Sequence, residues 1–159
     1  MPPHFPLTLT TGDLIEQLRD AGLRVTPQRL VIYETLVKDK HHPTAQSLFE
    51  RLQDTLPSLS QATVYNTLET MVEMGLVREL GTAGDGTVRY DADISPHAHL
   101  VCTDCNSIED FAAVQVPVPD PSALEASGYT VRSMGVYYYG LCKDCRERRE
   151  SEQGGRDDE

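Results

Sequence analysis

Apolar side chains recur at helical spacing through the first half of the chain. Leu14, Ile15 and Leu18 form a short amphipathic stripe that stops at Gly22. Thr26 followed by Pro27 has the N-cap and first-turn chemistry of a second helix running through Leu30, Tyr33 and Val37. The stretch 38–43 interrupts the pattern, and Thr44 then caps a third helix carrying Ala45, Leu48, Phe49 and Leu52. Ser58-Leu59-Ser60-Gln61 reads as a capping box for a fourth, whose apolar positions Val64, Leu68, Met71 and Val72 continue until Gly75 offers a stop.

Two strand-like runs follow, Val77 to Leu80 and Val88 to Asp91, around the glycine-rich segment 81–87, which predicts a hairpin. Helices closed by a two-stranded hairpin are the order of a winged helix-turn-helix, in which the fourth helix here would enter the major groove. Beyond Asp91 the texture turns β-rich. His99 to Cys102, Ile108 to Phe111, Tyr129 to Arg132 and Val136 to Tyr139 are expected strands, with a short helix near Ser122 to Ala126. The expected class is α+β: a disordered N-terminus over 1–10, a winged-helix domain over 11–92, a smaller α/β domain over 93–149 and an acidic disordered tail over 150–159.

A net charge of −11 over 159 residues argues at first against a phosphate-bearing partner, but the acid is unevenly placed. Residues 1–80 carry seven Lys/Arg against ten Asp/Glu, and residues 81–159 carry seven against fifteen. The helical half is therefore nearly balanced, and the tail acids read as solvated charge. No apolar run approaches the roughly 20 residues of a membrane span, and Met1 to Thr11 lacks the pattern of a signal peptide, so a cytoplasmic protein with no membrane partner is expected.

All four cysteines fall in two CxxC pairs, Cys102/Cys105 and Cys142/Cys145, with 36 residues between them. Four soft thiolates at this spacing suit a structural tetrahedral zinc that staples the first strand of the small domain to its last. Rubredoxin-type iron and a thioredoxin-like redox pair are the alternatives; no βαβ pattern surrounds either CxxC. A deaminase-type catalytic zinc would need a glutamate that His97-Ala98-His99 lacks. A second, harder ligand set is available in His97 and His99 on one strand face, with Asp91 and Asp110 on neighbouring segments and His42 from the helical half. Imidazole with carboxylate favours Fe(II), Mn(II) or Zn(II). Exposed histidines without a metal are the alternative reading, and His4 and His41 are assigned no role.

Arg24-Val25-Thr26-Pro27-Gln28-Arg29, His42-Pro43-Thr44-Ala45, Ala62-Thr63-Val64-Tyr65-Asn66-Thr67-Leu68, His97-Ala98-His99 before Cys102-x-x-Cys105, and Tyr139-Gly140-x-Cys142-x-x-Cys145 together resemble the ferric uptake regulator family. The resemblance extends from about Leu14 to Cys145. It implies a homodimeric repressor that binds double-stranded DNA at an AT-rich palindrome when a regulatory metal is present. It places one structural Zn(II) per subunit on Cys102, Cys105, Cys142 and Cys145, and one regulatory Mn(II) or Fe(II), replaceable by Zn(II) in vitro, on His42, Asp91, His97, His99 and Asp110. Tyr65 takes the place of the family's groove-contacting tyrosine and Arg24 that of its basic residue near the minor groove, while Thr63 and Asn66 add to the polar face of the recognition helix.

The family's further metal site is missing from this sequence, since Pro96, Ala98 and Met134 stand where its ligands would be. Aspartate at 91 and 110, in place of the glutamate common in iron-sensing relatives, resembles the peroxide-sensing and manganese-responsive branches. The expectation is thus a metal-dependent repressor of metal-homeostasis genes, with neither enzymatic activity nor a small organic substrate. Peroxide sensing through iron-dependent histidine oxidation is the alternative, and a zinc-binding interaction protein without DNA binding is the alternative of another class.

Overall fold

A computed structural model describes residues 7–81, 84–112, 115–117, 119–131 and 133–154. Four helices come first: α1 (Thr11–Asp20), α2 (Pro27–Lys38), α3 (Ala45–Gln53) and α4 (Gln61–Glu73). Each begins where a hydroxyl meets an orphan backbone N–H: Thr10 accepts from Asp13, Thr26 from Arg29, Thr44 from Ser47 and Ser60 from Thr63. The expected box at Ser58 is thereby corrected to a simple cap at Ser60. Gln61 has no N3 role because it is the first helical residue, and its side-chain amide instead donates to Gln46.

The helices bury one face each into a common core of Leu14, Leu18, Ile32, Tyr33, Leu36, Leu48, Val64, Leu68 and Met71. Every fully buried leucine there contributes about 2 kcal/mol of transfer free energy. Strands β1 (Arg78–Leu80) and β2 (Arg89–Asp91) pair antiparallel as the wing, in the register Arg78 with Asp91 and Leu80 with Arg89. The wing is tied to the helices where Tyr90 N–H donates to the Pro43 carbonyl. Four helices and a two-stranded wing form the winged helix-turn-helix that the pattern predicts.

The second domain is a three-stranded sheet ordered β4-β3-β5, with β3 (Ala98–Cys102) antiparallel to β4 (Ile108–Phe111) and parallel to β5 (Val136–Gly140). A parallel neighbour requires a crossover, and α5 (Pro121–Ser127) lies within it. The final element is α6 (Lys143–Gly154).

Three further expectations need correction. Residues 129–131 form no strand, although they alternate suitably: Tyr129 and Val131 are exposed and no strand among the described residues pairs with them, while Arg132 lies outside the described residues. The 150–159 tail is helical through Gly154, and residues 155–159 are outside the description. Helix α6 lacks apolar periodicity; Lys143–Glu147 and Arg146–Glu150 pairs one turn apart favour it instead. Finally, the N-terminus is not loose from residue 7 onward. Leu7 N–H donates to Asp93, its carbonyl accepts from Ile94, and Leu9 N–H donates to the Tyr33 hydroxyl. Residues 1–6 lie outside the description.

Candidate metal centres and DNA-facing helix

Where the two domains meet, three imidazoles and two carboxylates converge. His42 enters from the α2–α3 connection in a left-handed backbone conformation (φ 51°), which turns its ring inward. Asp91 ends β2, His97 directly precedes β3, His99 lies in β3 and Asp110 lies opposite it in β4. His42 Nε2 is 2.7 Å from Asp110 Oδ1, while His97 Nε2 is 3.1 Å from both Asp91 Oδ2 and Asp110 Oδ1. His99 Nε2 is 3.4 Å from Asp91 Oδ2 and 3.5 Å from Asp110 Oδ1. His42, Asp91, His97 and His99 are all at most 5% exposed. His97 Nδ1 lies 2.9 Å from the Ser95 carbonyl, so Nδ1 carries a proton and Nε2 is left to face the carboxylates.

The electrostatics are those of a cation site. Burial disfavours the charged form of His97, but hydrogen bonds to Asp110 and Asp91 outweigh it and push its pKa up to about 10. Burial likewise opposes ionisation of Asp91, and hydrogen bonds to His97 and His99 overcome it, holding the carboxyl well below the usual range. Asp110 is held down in the same way, with His42 and His97 overcoming burial. The Nε2 atoms of His97 and His99 stand 3.1 Å apart, and buried His42 Nδ1 and His99 Nδ1 have no hydrogen-bond partner among the described residues. A divalent ion balances two buried carboxylates and removes the conflict between facing imidazoles, so these residues fit one.

Asp93, which sequence reasoning missed, stands behind this set. Its Oδ1 accepts from Leu7 N–H, Ser95 N–H and the Ser95 hydroxyl, and its Oδ2 lies 3.8 Å from His97 Nδ1. The signal was available: one residue separates Asp91 from Asp93, as one separates His97 from His99.

The four cysteine sulfurs lie within 4.8 Å of one another. Cys102 ends β3, Cys105 lies in the turn after it, directly before Asn106 at φ 59°, Cys142 follows β5 and Cys145 lies in the first turn of α6. The Cys105–Cys142 separation is 3.8 Å, which is the edge of a tetrahedron with zinc–sulfur bonds of about 2.3 Å. Burial raises the Cys102 thiol, but backbone N–H groups of Cys142, Cys105 and Asp104 outweigh it and bring the pKa to about 6. Cys145 is pushed up by burial and by its neighbouring thiols. Four sulfurs this close cannot all ionise until a cation joins them, so this set also fits a metal. Arg148, also unanticipated, donates to Cys145 Sγ (3.2 Å) and to Asp104 (2.5 Å), and Arg149 donates to Asp104 at 2.7 Å.

On α4, Tyr65 is 47% exposed and Asn66 is exposed, while Val64 beside them is fully buried. Thr63 is half-buried at the helix start, 2.8 Å from the Ser60 hydroxyl. Arg24 is exposed before α2, and its carbonyl accepts from Arg29. No helix among the described residues is long and apolar enough to cross a membrane.

Residues 20–139 match the model of the ferric uptake regulator family. The chain is 38% identical over 136 residues to the peroxide operon regulator of Bacillus subtilis, covering 86% of this chain and 93% of that one. Among solved structures, the peroxide stress regulator of Campylobacter jejuni superposes with a TM-score of 0.60 at 33% identity, covering 83% of this chain and 98% of that one. The peroxide-sensing regulator PerR of Streptococcus pyogenes gives 0.51 at 32%, covering 90% and 98%. A family match over most of the chain and a winged helix joined to a small sheet lead to one conclusion: the chain belongs to the ferric uptake regulator family.

Proposed function

We propose that this protein is a metal-dependent, DNA-binding transcriptional repressor, without enzymatic activity, in which one regulatory ion per subunit locks the winged helix against the sheet domain. The observation that carries this reading is the origin of the ligands. His42 and Asp91 belong to the winged-helix half, and His97, His99 and Asp110 to the sheet half. An ion held by all five ties the two halves together, and so selects one spacing of the recognition helices in a dimer. Mn(II) and Fe(II) are the proposed ions, with Zn(II) binding in vitro. Zn(II) on Cys102, Cys105, Cys142 and Cys145 has the separate task of joining β3 to the start of α6.

The homodimer is supported by β5, an edge strand bordered by β3 on one side, whose Tyr138 and Tyr139 are 46% and 60% exposed. DNA recognition is assigned to Thr63, Tyr65 and Asn66 on α4, with Arg24 beside them on the phosphate backbone; the proposed target is an AT-rich palindrome, matching a two-fold protein. The division into 11–92 and 93–149 is the one under which this mechanism works, and a cytoplasmic location follows from the role. The test is to select duplexes from a random pool with the zinc-loaded protein in the presence and absence of Mn(II). Selection of a palindrome only with metal supports the reading; no enrichment under either condition refutes it.

A second reading is favoured by the relatives, several of which are named peroxide-responsive repressors, the one from Staphylococcus epidermidis being 37% identical over 133 residues. Here Fe(II) in the regulatory site would supply the peroxide chemistry. This chain's own residues contribute the target: the imidazoles of His42 and His97 lie against Asp110, and His97 also against Asp91, and either ring would take one oxygen from peroxide, the other oxygen leaving as water. Losing either ligand releases the ion and then the DNA. Mass spectrometry of iron-loaded and manganese-loaded protein after mild peroxide separates the two readings, with a gain of one oxygen in the iron form alone indicating the sensor.

A further inference from the structure

The two domains share a second, apolar junction beside the regulatory cluster. Leu80 of the wing packs there with Val101 of β3 and Ile108 of β4, and Tyr137 of β5 packs against this cluster. Tyr137 is the direct neighbour of His99 in the parallel register of β5 and β3. Its ring stacks on the His99 imidazole, with centroids 5.5 Å apart and planes inclined by 22°. Its hydroxyl accepts a hydrogen bond of 2.9 Å from the N–H of Gly81, the residue at which β1 gives way to the wing loop.

The ring's position is enforced by what surrounds it. A Cβ at Gly135 would overlap the ring edge and the hydroxyl, so the bare glycine is what admits the side chain there. A Cβ at Gly81 would meet the ring at an ordinary contact distance of 3.6 Å. Tyr137 is thus pressed from behind, lies flat on one ligand imidazole and holds one backbone group of the wing. A reorientation of His99 toward an ion must carry the stacked ring with it, slide the ring off, or be resisted by it. Packed contacts of this kind pass on small displacements instead of absorbing them.

We propose that Tyr137 is a positioning residue that transmits occupancy of the regulatory site to the wing, with His99 at one end of the link and the Gly81 amide at the other. This rests on the metal-responsive reading, but concerns a residue that is neither a ligand nor part of the DNA-facing helix. The link runs in both directions, so holding the wing should also bias the His99 ring.

Hydrogen exchange across residues 78–91 of the full-length, zinc-loaded protein, with and without Mn(II), tests it without any DNA. In the wild type, Mn(II) slows exchange in the wing, the Gly81 amide included. Tyr137→Phe keeps the stacked ring and loses only the acceptor: it binds Mn(II) with an affinity close to wild type by calorimetry, yet loses about tenfold of the metal-induced protection in the wing. Gly135→Ala, which keeps the tyrosine but displaces its ring and hydroxyl together, shows the same loss. A merely structural tyrosine would lower the melting temperature and leave the metal-induced difference intact, which overturns the proposal. A wild-type wing indifferent to Mn(II) overturns it as well. A wild-type wing that responds while Tyr137→Phe does not supports the link even if no duplex is ever selected, so the two readings fail separately.

Discussion

His42 Nε2 and Asp110 Oδ1 stand 2.7 Å apart across 68 residues of chain, joining the α2–α3 connection to the outer strand of the sheet. With Asp110 removed from water on one side by this contact, the pair is a direct bond between the domains even before an ion arrives. His42→Ala should therefore weaken Mn(II) binding by more than the 10–100-fold that losing a supporting hydrogen bond typically costs. It should abolish metal-dependent DNA binding and leave zinc content at one per subunit. Calorimetry for Mn(II) and elemental analysis for zinc check both halves; a variant that still responds to metal removes His42 from the mechanism.

Binding at this site should release protons. His97 has a pKa raised to about 10 in the metal-free fold, so its imidazole is charged at neutral pH and must lose a proton to accept an ion. The sign follows from the same shift. In the metal-free protein the stability that His97 contributes is full below its unfolded value of about 6.5 and is lost as pH rises toward 10, while Mn(II) affinity rises through that window. Calorimetry in buffers of different ionisation enthalpy should give a release of about one proton per ion at pH 7. A heat independent of buffer would contradict the assignment.

Much of this site was legible in the sequence, and the reasons differ by residue. His97 and His99 announce themselves by strand spacing, and the cysteines by pairing, because each ligand set includes close neighbours in sequence. His42 and Asp110 came in on family resemblance and ligand chemistry, since nothing local to either fixes a distance of 68 residues. Asp93 and Tyr137 were missed, as was the arginine contact to Cys145, because each acts through a tertiary contact made by an ordinary-looking residue. The helices were readable from caps and apolar stripes. Helix α6 was not, being held by charge pairs and by Asp104 and not by an apolar face.

Cys102→Ser or Cys142→Ser should abolish tight zinc binding and the dimer together, because a four-thiolate ion contributes its binding free energy directly to folding of the small domain. Asp104→Asn is the milder probe. Asp104 holds Arg148 and Arg149 of α6, and Arg148 also reaches Cys145, so zinc should be retained but released faster to a chelator. Intact dimer without zinc in either cysteine variant would contradict the structural role.

Tyr65→Ala and Arg24→Ala should leave the melting temperature nearly unchanged, since both residues are exposed, and should weaken binding to a selected duplex. The Arg24 loss should be uniform across sequences and lower the salt slope by about one, as for a phosphate contact; the Tyr65 loss should depend on sequence. Unchanged affinity in both would mean that DNA meets another face.

The central claim is that one ion at the His42–Asp91–His97–His99–Asp110 cluster switches DNA binding, and anisotropy of a selected, labelled duplex tests it most directly. Zinc-loaded protein is titrated into the duplex without further metal, with Mn(II), and with Fe(II) under anaerobic conditions. The predicted result is weak binding without the second metal and an affinity higher by about 10–100-fold with either ion, a gain absent from Asp91→Ala. Equal affinity with and without the second metal, in a protein shown by calorimetry to bind that ion, would contradict the account.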